Sequence, residues 1–264
     1  KNIEILSIIS DEEGLSYSDF CLVAEENGIQ MIKISNLSNK IESLEESKIK
    51  IDFVLSVFSP FIIDNEILDN SKYGGFNLHP GKLPEYAGWN PISWSIYSNE
   101  KYHEVTIHKM TNYIDGGDIV FSKKFIISQD ETALSLLVKS SIEGTNLLRI
   151  FFETISRKNI DDIILKKQDF VKRKYYSKTS NIPLLLDWNN SIELIDRIFR
   201  SIYLGPIESP LGCPYTIVNG KLVKLYNHKI RKCYHSRRVG DIKFISSNEV
   251  EVACKDGLLN ANWL

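Results

Sequence analysis

The stretch "GGFNLHP" (74–80) sets an amide and an imidazole two residues apart, between a glycine pair and a proline. Residues i and i+2 of a strand project to one face, so Asn77 and His79 reach the same side of any strand that carries them. A carboxylate follows at Asp115, inside the turn "TNYIDGGD" (111–118). An imidazole steadied by a carboxylate moves protons near neutral pH. An asparagine amide beside it donates to a developing oxyanion. The same residue types also admit a plainer account, in which His79 is a satisfied strand-end histidine and Asp115 a turn former. Spacing alone leaves both accounts open.

The elements around these residues follow from hydrophobic pattern. "IEILSIIS" (3–10), "QMIKIS" (30–35) and the near-continuous apolar run "IDFVLSVFS" (51–59) read as strands. Helices are expected over 17–29, ended by Gly28, then around 38–49, and briefly after Pro60. Strands alternating with helices predict an α/β fold with a doubly wound, mostly parallel sheet. Such sheets bind ligands at the carboxyl ends of their strands, which is where Asn77 and His79 fall. Strands at 104–110 and 119–127 flank the turn that carries Asp115, and a long helix fills 131–155. A basic, polar linker leads to a helix capped by Asn190 or Ser191. From Gly205 onward, short strands and Gly, Pro and Asn turns predict a small β-barrel-like module. The expected division is a catalytic domain over residues 1–165, a linker and helix over 166–203, and a small β domain over 204–264.

Composition bounds the function. The chain has 264 residues, 43% apolar and 25% charged, as in an ordinary soluble domain. No apolar run is long enough to cross a bilayer, and no signal-peptide pattern is visible, although the chain starts at Lys1 rather than Met. Cys21, Cys213, Cys233 and Cys254 show no CxxC spacing and read as reduced, cytoplasmic thiols. Residues 1–164 carry 15 Lys and Arg against 25 Asp and Glu, a balance of −10, whereas residues 165–264 carry 17 against 9, a balance of +8. That asymmetry suggests a second module facing something anionic. Lys229, Arg231, Lys232, Arg237 and Arg238 are its densest cluster; they suit phosphates or a solvated basic face. His228, Cys233 and His235 make an incomplete zinc set, so no metal is expected. Trp89, Trp94 and Tyr97 could line a stacking pocket or simply pack. P-loop, GxGxxG and nucleophile-elbow motifs are absent from the sequence.

"FNLHPGKLPEYAG" followed by "VTIHKMTNYIDGGDI" resembles the folate-dependent formyltransferases, whose hallmarks are an Asn-x-His strand end, a Leu-Pro loop and an Asp-x-Gly-Asp hairpin. "LDWNNSIELIDRIFRS" is similar to the Asp-Trp linker helix of the methionyl-tRNA and sugar enzymes, and the last residues to their small β domain. The resemblance implies 10-formyltetrahydrofolate as donor and a primary amine as acceptor. It implies His79 for proton transfer, Asn77 for the tetrahedral oxyanion, and Asp115 to orient His79 and handle protons through water. It places the folate ring between Pro60, Phe61, Ile62 and Ile63 on one wall and Leu83, Pro84, Asn112, Tyr113 and Ile114 on the other. Two departures stand out: the family's first strand and helix have no counterpart, whether by truncation or numbering, and "LPEYAGWNPISW" lacks the pattern typical of the tRNA enzymes. The second turns the expectation towards a nucleotide-linked amine, an amino sugar. Methionyl-tRNA, a carrier-bound amino acid, and a catalytically silent nucleic-acid-binding relative are the alternatives. No membrane partner is expected, and an oligomer is compatible with the sequence.

Overall fold

A computed structural model describes residues 3–10, 17–33, 50–158 and 160–264. The helix expected around 38–49 lies outside the described residues. In chain order the elements are β1 (Ser7–Ser10), α1 (Tyr17–Glu26), β2 (Gln30–Lys33), β3 (Val54–Val57), α2 (Asn65–Asp69), β4 (Gly75–His79), β5 (Ala87–Gly88), α3 (Pro91–Tyr97), β6 (Tyr102–Lys109), β7 (Ile119–Ile126) and α4 (Ala133–Arg157). β8 (Tyr175–Tyr176), α5 (Ile192–Ile202), β9 (Tyr215–Val218), β10 (Lys221–Lys232), β11 (Ile242–Phe244), β12 (Glu249–Cys254) and β13 (Gly257–Trp263) follow. The chain divides into two compact units, and β6, β7 and α4 each run through both.

The first unit comprises Lys1–His79, Ile107–Phe121 and Asn146–Lys167. β1 pairs β2 in parallel, and β3 pairs β4 in parallel within a four-stranded sheet of order β3-β4-β6-β7. The β4 pattern explains its orientation. Phe76 and Leu78 are 1% and 2% exposed and face the core, which leaves the alternate positions Asn77 and His79 to the other face. Phe76 meets Phe53 and Phe151 at ring centroid distances of 5.8 and 5.1 Å, so the strand is anchored by aromatic packing directly beneath the functional face. A Cβ at Gly75, the start of β4, would stand 2.6 Å from Leu68 Cδ2 and 2.8 Å from Met110 Sδ, so those side-chain ends would have to shift.

The second unit comprises Pro80–Thr106, Ser122–Thr145 and Gln168–Leu264. Its main body is an antiparallel sheet of order β11-β12-β13-β10-β9 with α5 packed on it. Ile192, Ile195, Ile198, Phe199 and Ile202 line one face of α5 at helical spacing and bury against Leu225, Val252 and Leu259. Ser191 caps this helix, its hydroxyl accepting from Leu194 N at 3.3 Å. The basic, polar linker segment carries regular structure of its own. Its β8 pairs in parallel with β5, and the Tyr176 ring is stacked between those of Tyr86 and Trp94, at 5.9 and 4.5 Å. Trp94 and Tyr97 therefore pack, with both rings against the core under α5.

Candidate active site

Asn77 and His79 lie at the carboxyl end of β4, held in register by β3, where Ser56 aligns with Asn77 and Val57 with Leu78. Asp115 reaches them from the turn between β6 and β7. Two features of that turn bring it there. Asp115 adopts φ 51°, the left-handed region that an aspartate tolerates better than most residues. Gly117 lets the backbone fold tightly onto β6: a Cβ at this position would stand 1.9 Å from the Lys109 carbonyl oxygen. Lys109 N donates to Asp118 O at 2.9 Å and closes the turn.

The result is a compact polar cluster. Asp115 Oδ2 lies 3.5 Å from His79 Nδ1, and the two side chains are 9% and 5% exposed. Asn77 Nδ2 donates to Asp115 Oδ1 at 3.3 Å. A fourth member is His108, near the end of β6 and 2% exposed, whose Nε2 lies 3.3 Å from Asp115 Oδ1 and 3.2 Å from Asn77 Nδ2. The structure thus brings Asn77, His79 and Asp115 together across 38 positions of sequence and adds a histidine that the motif reading did not include. The only sign of His108 in the sequence is a lone imidazole in "EVTIHKM", among residues that read as a buried strand.

The expected folate contacts fall in several places. Phe58, at φ 49°, breaks β3 and turns the chain into Ser59–Ile63. There Phe61 and Ile62 are exposed, with Phe61 N donating to Ser59 Oγ at 3.2 Å. Tyr113 and Ile114 are also exposed, at 70% and 39%, as is Asn112. Apolar side chains open to solvent beside buried polar ones suit a flat ring with a polar reacting end. Leu83 and Pro84 belong to the second unit, where both are buried.

The two histidines of the incomplete zinc set are engaged within the second unit. His228 Nε2 contacts Asp196 Oδ1 at 2.8 Å and its ring stacks on Phe199 at 4.2 Å, while His235 Nε2 donates to the Cys254 carbonyl at 2.7 Å. Burial pushes the Asp196 carboxyl up, but hydrogen bonds from His228 and Arg200 outweigh it and hold the group below the ordinary aspartate value. Of the clustered cations, Lys232 pairs with Glu193, and Arg237 and Arg231 both reach Glu251, at 2.6 and 3.9 Å.

Polar groups at the strand ends of an α/β unit mark a ligand site, and comparison with known proteins says of what class. Residues 20–148, which include all four polar groups, match the formyl transferase family. The chain is 32% identical over 231 residues to the methionyl-tRNA formyltransferase of Clostridium beijerinckii, covering 87% of this chain and 71% of that protein. It is 31% identical over 246 residues to the Clostridium tetani enzyme of the same name, covering 93% and 76%. Among solved structures, an N-formyltransferase from Helicobacter canadensis in complex with folinic acid and dTDP-3-aminofucose shares the fold, with a TM-score of 0.66 at 20% identity, covering 91% of this chain and 81% of that one. The chain belongs to the folate-dependent formyltransferase family.

Proposed function

We propose that the chain transfers a formyl group from 10-formyltetrahydrofolate to the primary amine of an amino-sugar nucleotide. The observation that carries the reaction is the partly buried cluster of Asn77, His79 and Asp115 beside exposed apolar loops. In this reading the amine attacks the formyl carbon, and Asn77 donates to the oxygen on which charge develops. His79, steadied by Asp115, moves the proton that must leave the amine nitrogen and reach the departing folate nitrogen. Pro60, Phe61, Ile62 and Ile63, with Asn112–Ile114, hold the folate ring; residues 1–165 form the catalytic domain, 166–203 a linker and helix, and 204–264 the small β domain. The reading includes a cytoplasmic reaction; among the described residues, no helix is long and apolar enough to cross a membrane.

The choice of acceptor rests on charge. A tRNA backbone needs many open cations spread over a face. Three of the five clustered cations, Arg231, Lys232 and Arg237, face carboxylates of their own unit, which lowers the field available to a polyanion. A nucleotide pyrophosphate needs only a few cations. The Helicobacter canadensis relative, crystallised with an amino-sugar nucleotide, supports the same choice. Methionyl-tRNA is the second reading, favoured by the 32% identity to an enzyme of that name. A panel of amines incubated with 10-formyltetrahydrofolate and read by mass spectrometry tests both. Formylation of an amino-sugar nucleotide is the expected outcome. Efficient formylation of methionyl-tRNA, abolished when Lys229, Arg231, Lys232, Arg237 and Arg238 are replaced by Gln, would promote the second reading.

A further inference from the structure

We infer that His108 is a positioning residue of this active site, which fixes the side-chain amide of Asn77 with its nitrogen turned into the cluster. The inference rests on the formyl transfer proposed above and concerns a residue outside the Asn77, His79 and Asp115 set.

His108 Nδ1 lies 2.7 Å from the carbonyl oxygen of Lys109. A carbonyl only accepts, so Nδ1 carries a hydrogen. In the neutral ring Nε2 is then a bare acceptor, and it faces Asn77 at 3.2 Å and Asp115 Oδ1 at 3.3 Å. An amide can be placed either way round, and its neighbours decide the matter. With Nδ2 inward, one hydrogen goes to His108 Nε2 and the other to Asp115 Oδ1. Reversed, the amide oxygen would meet an imidazole lone pair and a carboxylate oxygen in a buried place, three acceptors with no hydrogen among them. His108 therefore selects the orientation that makes Asn77 a donor.

The same contact shapes Asp115. A bare Nε2 offers no hydrogen to Oδ1, while on the other side Oδ2 faces His79 Nδ1 at 3.5 Å. His108 does not face open solvent, being 2% exposed, and its ring lies edge-on to that of His79 at 6.4 Å between centroids. It acts through Asn77 and Asp115. A formyl oxygen entering beside Asp115 Oδ1 would share the Asn77 hydrogen that points there, while the hydrogen on His108 keeps the amide in place.

Two variants and a spectroscopic readout test this. His108→Leu removes the acceptor. His108→Gln returns an amide oxygen near the position of Nε2. Removing an oxyanion donor outright costs about 10²–10³ in turnover, so loss of its orientation in His108→Leu should lower kcat by about tenfold to a hundredfold. Donor affinity by calorimetry should change less than about threefold, and His108→Gln should recover most of kcat. Nitrogen-15 NMR of the resting protein should show His108 protonated on Nδ1 and bare on Nε2. The inference is overturned if His108→Leu keeps kcat within about twofold of wild type, if kcat and donor affinity fall together, or if Gln rescues no better than Leu. It is also overturned by a resting ring protonated on Nε2 alone, whatever the enzyme transfers. If the wild type binds donor yet formylates no amine, the reaction itself falls and the role of His108 with it. If the wild type formylates an amine normally while the variants match it, only the inference falls.

Discussion

At the scale of single residues, the account turns on an imidazole with a carboxylate behind it. His79 is buried, and its Nδ1 faces Asp115. Replacing His79 by Ala should lower kcat by at least about 10², the usual scale for a positioned general acid or base. Asp115→Asn should have a comparable effect while donor affinity stays near normal, because the change keeps the shape of the side chain and removes its charge. Calorimetry with a folate donor alongside turnover separates the two quantities; full activity in either variant would return that residue to a structural role. Cys254 offers a contrast. Burial pushes its thiol up to about 12, and it lies fully inside the second unit. Iodoacetamide near pH 8 should leave Cys254 unmodified in the native protein and label it after unfolding, since the thiolate is the reactive form.

At the scale of elements, the turn between β6 and β7 sets the position of Asp115, and Gly117 makes the turn possible. Gly117→Ala would press a methyl against the Lys109 carbonyl, so the turn must open. The expected result is a loss of about 1–3 kcal/mol in stability, seen as a lower Tm, together with a fall in kcat from displacement of Asp115. Asp196 on α5 gives a prediction in pH. Its folded pKa is depressed, so the stability it contributes is present above the ordinary aspartate value and is lost as pH falls through the lower, folded value. Asp196→Asn should therefore lower Tm near neutral pH, by the equivalent of about 1–3 kcal/mol for hydrogen bonds to a charged group. The gap to wild type should close as the pH drops below about 4. A constant gap from neutral to strongly acidic pH would contradict this account of Asp196.

Reading elements from sequence succeeded where the signal was local. β4 was visible because alternation, a glycine pair and a proline all lie within seven residues, and α5 because its apolar positions recur at helical spacing. β8 was not, because its two tyrosines are ordered by pairing with Ala87–Gly88, far back in the chain. His108 escaped for the same reason: its partner Asn77 is 31 positions away. The partners of the basic cluster were hidden in a related way, since Glu193 and Glu251 oppose it only after the sheet and α5 have formed.

At the scale of the whole molecule, charge is the feature that composition alone overstates. The segment 165–264 has a balance of +8, yet several of its cations are engaged by nearby carboxylates. Binding of tRNA should accordingly be weak and should fall off steeply with salt, as expected for contacts made mainly by phosphate attraction. A filter-binding titration across ionic strengths measures this. Tight binding that persists at high salt would favour the tRNA reading over the amino-sugar reading.

The most direct test of the central claim follows the formyl carbon itself. Carbon-13-labelled 10-formyltetrahydrofolate would be mixed with the wild type and with His79→Ala, each first shown to bind the donor equally. The account predicts that NMR finds the label as a formamide on the acceptor amine with the wild type, and at a rate lower by at least about 10² with the variant. Label that leaves the folate equally fast with both proteins, or that never reaches an amine with the wild type, would contradict it.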